Sequence, residues 1–258
     1  MERDLISTIA HTGHPIAGPL GDESVRQILE RALPRGDGRL LDLGCAEAEW
    51  LVRALDGRPA LRADGVDINE RALAKARTAI DAAGLADRVR LHTVDAREFA
   101  PPRADPYDVV LCIGATHAFG GLLPTLEAAR RHLAPGGSVL VGEGFFDGEV
   151  NETMREAGFA PDEYPDLAGT FDQVTGAGWV PVNAHVSSQE EWDAYEFSWT
   201  GSLASWALDH PEHPDAAEAL KVADEHRTGY VRGYRGVLGF VTLELRAGVA
   251  PSSRPPVT

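Results

Sequence analysis

The sequence predicts an α/β protein built on a doubly wound, mostly parallel sheet. Short apolar runs that read as strands alternate with segments of helical periodicity from residue 39 to residue 146. The strand-like runs are apolar throughout rather than on every second residue, as strands covered by helices on both faces are. A length of 258 residues suits one large domain, or one domain with an inserted cap.

The elements follow in order. Residues 1–21 read as a loop-like start. In DESVRQILERALP, Val25, Ile28, Leu29, Ala32 and Leu33 recur at helical spacing, and Pro34 stops the helix. RLLDLG (39–44) is a buried strand that runs into a further helix, and RADGVDI (62–68) is a second strand. NERALAKARTAIDAAG (69–84) is a helix capped by Asn69, with Leu73, Ala76 and Ile80 on one face and Gly84 at its end. DRVRLHTVDA (87–96) and YDVVLCIG (107–114) are the third and fourth strands. LPTLEAARRHLAPGG (123–137) is a helix ended by Pro-Gly-Gly, and SVLVGEGFF (138–146) is the fifth strand.

Beyond residue 147 the rhythm changes. DLAGTFDQVTGAGW (166–179) reads as one more helix, ending near Gly176 and Gly178, and WVPVNAHV (179–186) as a sixth strand. The next strand, VLGFVTLEL (237–245), comes some fifty residues later. Two helices fill the interval. The first opens with Ser188 and Glu191, a capping-box pair, and the second begins near Pro214 and Asp215. The tail GVAPSSRPPVT (248–258) has nothing to pack and is expected to be disordered.

Composition narrows the function classes. Forty acidic against 24 basic residues give a net charge of −16, which repels polyanions; nucleic acid and an anionic membrane are not expected partners, and a small molecule is. The segment MERDLISTIAHTGHP carries charges and histidines where a signal peptide needs an apolar core, and no apolar run is long enough to span a bilayer, so a soluble, cytoplasmic protein is expected. Cys45 and Cys112 sit in separate strand-like contexts without metal or disulfide spacing, fit a reducing compartment, and read as small buried apolar residues. His11 and His14 lack a third ligand, so no metal site is expected.

In a doubly wound sheet, ligands bind beyond the carboxyl ends of the strands, where strand order reverses. Three successive strands end there in an acidic residue. Asp42 precedes Gly44, whose missing Cβ allows a tight turn close to a ligand; Asp67 ends the second strand, where its carboxylate suits two ribose hydroxyls; Asp95 ends the third. Any one of these reads equally well as a turn or cap residue, and the set is the signal. The loop LLDLGCAEAEWL (40–51) does not supply the Gly-x-Gly-x-x-Gly spacing of a dinucleotide loop.

These residues resemble those of a Rossmann-like (class I) S-adenosylmethionine-dependent methyltransferase over about residues 22–245. There the first loop usually reads Asp-x-Gly-x-Gly-x-Gly; this chain has Asp42, Gly44, Ala46 and Ala48. S-adenosylmethionine has no pyrophosphate, so alanine costs less here than in a dinucleotide loop. The resemblance implies S-adenosylmethionine as cofactor and S-adenosylhomocysteine as product. It sets Gly44 and Cys45 against the methionine part, Asp67 on the ribose and Asp95 with Ala96 on the adenine edge, while Asp42, Ile68, Ile113 and Gly114 complete the cofactor set. It also implies seven strands with an antiparallel last strand. CIGATHAFGG, LVGEGFF and the terminal EEWDAYEFSW…GYVRGYRGVLGFVTLEL are similar to a bacterial group of small-molecule methyltransferases with a helical insert before the last strand. The chain then divides into an N-terminal lid segment (1–21), a cofactor-binding core (22–186), a helical insert or cap (187–236), the last core strand (237–246) and the tail (247–258).

On the acceptor side, His117 follows the fourth strand and is either a proton acceptor or a packed residue orienting its loop. Glu143 ends the fifth strand on the same rim and either orients a polar or cationic acceptor or caps a loop. The insert sets Trp192, Tyr195, Trp199, Leu203 and Trp206 on one helical face, and Leu220, Ala223, Arg227, Tyr230, Val231 and Tyr234 on another. Such stripes pack an insert onto a body. Trp192, Tyr195, Trp199 and Tyr230 are candidates to line an acceptor pocket, and Arg227 is a candidate to bind an acceptor carboxylate or to pair with an acidic neighbour. The reading is methyl transfer to a small molecule by direct in-line displacement, which needs alignment and exclusion of water rather than a catalytic triad. Its rivals are a nicotinamide-type oxidoreductase, an S-adenosylmethionine enzyme of other chemistry and a non-catalytic binding protein.

Overall fold

The apolar runs form one seven-stranded sheet from β1 (Asp37–Leu43), β2 (Ala60–Asp67), β3 (Val89–Thr93), β4 (Tyr107–Ile113), β5 (Leu133–Phe146), β6 (Trp179–Val186) and β7 (Leu238–Ala247), in the order β3-β2-β1-β4-β5-β7-β6. The computed structural model describes residues 1–101 and 105–248; the expectation of a disordered tail falls, from residue 249 on, outside the described residues. Strands β1 to β5 pair in parallel, and β7 pairs antiparallel with both β5 and β6. This is the Rossmann-like sheet with an antiparallel last strand. Strand order turns from descending to ascending between β1 and β4, which opens the crevice at their carboxyl ends.

Both faces are covered. Leu40, Leu61, Val109, Leu111 and Leu140 face α2 (Asp22–Ala32), α3 (Glu49–Leu55) and α4 (Glu70–Ala82). Leu41, Val110, Val139, Val141 and Leu243 face α5 (Leu122–Arg130) and α7 (Leu167–Gly176). Burial on alternate sides explains why these strands read as continuous apolar runs. Asn69 caps α4, its Oδ1 accepting the N–H groups of Arg71 and Ala72 at 3.0 and 3.2 Å.

Three segments differ from expectation. The start of the chain is a helix, α1 (Arg3–Ala10), packed on α8 (Gln189–Asp209). The helix expected over 123–137 stops at Arg130, because His132 O accepts the N–H of Tyr107 at 2.8 Å and draws the chain into β5. A short helix, α6 (Glu152–Glu156), lies in a stretch without helical periodicity; Asn151 caps it, accepting from Met154 N–H at 2.9 Å.

Between β6 and β7 lie α8, α9 (Ala216–Gly229) and a π-helical turn at Tyr230–Tyr234. Ser188 and Glu191 form the capping box that the sequence predicts. Glu191 does more: its Oε1 accepts the Gly21 N–H at 2.9 Å, tying the N-terminal segment to the insert. No helix among the described residues is long and apolar enough to cross a membrane.

Candidate functional site

The turn after β1 is held by backbone bonds to the end of β2. Gly44 and Cys45 both donate to Val66 O, at 2.8 and 2.9 Å. Gly44 has φ +93°, and a Cβ there would stand 2.6 Å from the Cβ of Ala115, so any side chain would collide with the loop after β4. Ala46 and Ala48, which stand where the usual loop has glycine, also lie in the left-handed region, at φ 44° and 63°. The loop therefore keeps the glycine backbone with alanine side chains, a strain of about 1–2 kcal/mol per residue.

Asp67 holds that strained turn in place. Its Oδ2 accepts the Ala46 N–H and its Oδ1 the Asn69 N–H, both at 2.8 Å. One carboxylate thus joins the first loop to the start of α4, and each oxygen keeps a second lone pair for a ligand. Restoring glycine separates strain from packing. Ala46→Gly, at a half-buried position, is expected to raise stability by about 0.5–1 kcal/mol, the relief of strain less glycine's added entropy. Thermal melting checks this, and a lower melting temperature would show that the methyl group packs against something the fold needs.

Asp42 is 3 % exposed on β1. Burial, then the field of Asp67, pushes its carboxyl pKa up to about 7. Cys45 and Cys112 are both free and buried, and burial pushes both thiols up; the fields of Asp42 and Asp67 add to this at Cys45, those of Asp42 and Glu143 at Cys112.

Around this centre, Asp95 and Ala96 are half-buried after β3. Asp95 is paired with Arg97, whose guanidinium holds its carboxyl down at about 2. Ile113 is half-buried and Gly114 exposed at the end of β4, and Ile68 is 72 % exposed. The structure brings Asp42, Gly44, Cys45, Asp67, Ile113 and Gly114 together at the switch point, with Asp95 and Ala96 beside β2. Residues 11–21 come back over this end. Gly114 lies under the Ala17 carbonyl, and His11 feels the charges of Glu47 in the first loop and Lys75 on α4. His11 Nε2 and Tyr195 Oη share a hydrogen bond at 3.2 Å, and His14 meets the Tyr195 ring edge-on at 5.4 Å.

A cavity of about 600 Å³ opens at the carboxyl ends of β4 and β5, between the starts of α5 and α7. Its wall includes Thr116, His117, Glu143, Tyr164 and Gln173. Glu143 is 7 % exposed; Oε1 accepts the Gly144 N–H at 3.1 Å, while the buried Oε2 has no hydrogen-bond partner among the described residues. Burial raises its carboxyl pKa above the ordinary range, opposed by the neighbouring Thr116 hydroxyl and the Gly144 N–H, which favour the charged form. His117 is exposed at the rim. Tyr164, absent from the sequence reading, gives no signal in a stretch of loop; its ring stacks over Gly144, where a Cβ would come within 3.1 Å.

Trp192, Tyr195, Trp199, Leu203 and Trp206 lie on the covered side of α8 as their stripe suggests, and the second stripe holds only in part, at Ala223, Tyr230 and Tyr234. Arg227 is exposed and paired with Asp224, and Leu220 and Val231 are exposed too. The buried residues of α9 are Ala216, Ala219, Ala223 and Gly229, because a helix lying close to α8 buries its small side chains. Trp199 stacks on His226 at 4.0 Å, and His226 Nε2 donates to the buried Glu196 at 2.7 Å. Trp192 is buried in the core facing α2 and α3. Tyr230 is buried, with Oη donating to Asp193 Oδ1 at 2.6 Å. Of the five insert candidates, Tyr195 meets His11 and His14, and Trp192 shares a core cluster with Ile16 and Leu20; none of the five is in the wall of the cavity beside Glu143.

Comparison with known proteins follows the same lines. Residues 41–139 match the family described as "Methyltransferase domain". The uncharacterized protein YjhP of Escherichia coli K12 is 28 % identical over 90 % of this chain and 95 % of its own. The S-adenosylmethionine-dependent methyltransferase of Geobacter sulfurreducens, solved with S-adenosyl-L-homocysteine, superposes with a TM-score of 0.84 at 27 % identity, covering 94 % of this chain and 98 % of that one. Trans-aconitate 2-methyltransferase of Streptomyces avermitilis is 31 % identical over 54 % of this chain and 51 % of its own. With its methyltransferase domain at residues 41–139, its sheet order and a likeness that runs nearly end to end, the chain is an S-adenosylmethionine-dependent methyltransferase of Rossmann-like fold, similar to the class I family.

Proposed function

We propose that the acceptor is a small molecule, held in the cavity beside Glu143 and methylated by direct in-line displacement. The cavity carries this reading. Its volume of about 600 Å³ is that of a metabolite site, and its wall mixes apolar residues with a few polar groups. The net charge of −16 weighs against nucleic acid. The streptomycete relative, named for a small-molecule acceptor, is in keeping with it.

On the cofactor side the residues fit the ligand that the family uses. Gly44 and Cys45 would face the methionine part, Asp67 the ribose through its free lone pairs, and Asp95 with Ala96 the adenine edge. Ile68, Ile113 and Gly114 would flank these groups, and Asp42 would back the first loop from beneath. When bound, S-adenosylmethionine supplies an electrophilic methyl group on a sulfonium. The chain's part is to align the acceptor and exclude water. Residues 1–21 and the insert 187–236 form the covering lid, clasped through Gly21–Glu191 and His11–Tyr195. His117 and Glu143 stand on the acceptor side as groups that can take or share a proton.

The test uses S-adenosylmethionine labelled in its methyl group, incubated with the protein and a cell extract separated into small-molecule and macromolecular fractions. Label is expected in a small-molecule product that separates from unreacted S-adenosylmethionine. Transfer of label to macromolecules alone would overturn the proposal.

A further inference from the structure

We propose that the acceptor is a cationic amine, whose nitrogen pairs with Glu143 and gives up its proton to it. This rests on the reading of the cavity as the acceptor site, and it adds the chemical class that the site selects.

The first observation is the unpartnered oxygen. A buried carboxylate oxygen without a donor is costly, and in a folded protein such a group calls for a missing partner. Glu143 lines the cavity, and a ligand N–H that reached its carboxylate would complete the bonding of that group. The second observation is the charge of the wall. Asp162 and Glu163 stand at the mouth with Glu143 behind them, and neither Lys nor Arg lines the cavity among the described residues. Negative charge lining a cleft concentrates cations and repels carboxylates. Tyr164 adds an aromatic wall, a surface that organic cations favour.

One feature of the wall favours anions, the start of α5. It is weak here: Gly121 N–H is taken by Thr116 O at 3.0 Å, and Pro124 in the first turn has no N–H to offer. Three carboxylates outweigh it. A carboxylate acceptor would meet Glu143 with no Lys or Arg beside it among the described residues. An ammonium meets it with complementary charge and donors to spare. The proton then moves from nitrogen to the Glu143 carboxylate, leaving a neutral amine with a free lone pair and a neutral carboxylic acid; charge and atoms balance. Burial, which favours the protonated carboxyl, assists this transfer.

The experiment compares matched ligands on the wild-type protein saturated with S-adenosylhomocysteine. Benzylamine, benzyl alcohol and benzoate form one series; cyclohexylmethylamine, cyclohexylmethanol and cyclohexanecarboxylate form the other. Calorimetry is expected to show saturable binding of an amine and none of the carboxylates. Glu143→Gln, nearly equal in shape, is expected to weaken amine binding at least about tenfold while S-adenosylhomocysteine affinity and melting temperature hold. Binding of no amine, binding of a carboxylate as tightly as its matching amine, or an unchanged amine affinity in a folded Glu143→Gln would each overturn the proposal. The wild-type comparison decides even if the variant does not fold. Failure of S-adenosylhomocysteine itself to bind would instead overturn the cofactor assignment beneath it.

Discussion

Tyr230→Ala is expected to lower the unfolding free energy by about 3–5 kcal/mol, the range for deleting a large buried aromatic ring. Tyr230 is 1 % exposed and packs edge-on against Phe197 and tilted against Tyr234, with ring centroids 5.8 and 5.2 Å away. Its Oη donates to Asp193 Oδ1 and accepts from Gln189 Nε2 at 2.9 Å. Arg235 grips the same Asp193 with two bonds of 2.8 Å, and with Tyr230 it holds that carboxyl down at about 2. The tyrosine thus closes the end of α9 onto the start of α8 and joins the insert to the chain entering β7. Tyr230→Phe keeps the ring and loses the hydroxyl, and should cost about 1–2 kcal/mol. Denaturant melts of both variants check the pair. An unchanged melt for Tyr230→Ala, with acceptor binding lost, would return Tyr230 to the pocket wall that its sequence position suggests.

Asp42 should make stability fall as pH rises. In the unfolded chain its carboxyl titrates near 3.8, whereas burial and Asp67 carry it to about 7 in the fold. Between those values the folded protein holds a proton that the unfolded chain has released, so rising pH favours unfolding across the window and has no further effect above it. The full loss is of the order of 4 kcal/mol. Asp42→Asn cannot titrate. Melting wild type and variant from pH 4 to pH 8 should show the variant gaining on wild type up to about pH 7, with a level difference beyond. A difference that stays constant across the range would mean that Asp42 is ionised throughout in the fold.

Much of the architecture is legible in the sequence because parallel strands buried on both faces write themselves as apolar runs. The acids at the strand ends, Asp42, Asp67 and Asp95, are legible for the same reason: they mark where such runs stop. What is not legible depends on partners far along the chain. The helix α1 forms against α8, and α5 ends early because β4 captures His132. On α9 the sequence draws attention to large residues, yet close packing on α8 buries the alanines and turns Arg227 outward to Asp224. The left-handed backbone at Ala46 and Ala48 runs against the preference of alanine, and the Asp67 bond that sustains it at Ala46 crosses twenty-one residues. The unpartnered oxygen of Glu143 is a property of packing, which residue type does not carry.

Calorimetric titration of S-adenosylhomocysteine into wild type and Asp67→Ala, with NAD as the comparison ligand, tests the account most directly. Wild type should bind S-adenosylhomocysteine saturably at one site and leave NAD unbound. Asp67→Ala should weaken that binding by about 1.5–3 kcal/mol, tenfold or more, because it removes a charged acceptor and frees the Ala46 N–H that fixes the first loop. Binding of NAD in place of S-adenosylhomocysteine, or equal affinity in wild type and a folded Asp67→Ala, would contradict the account.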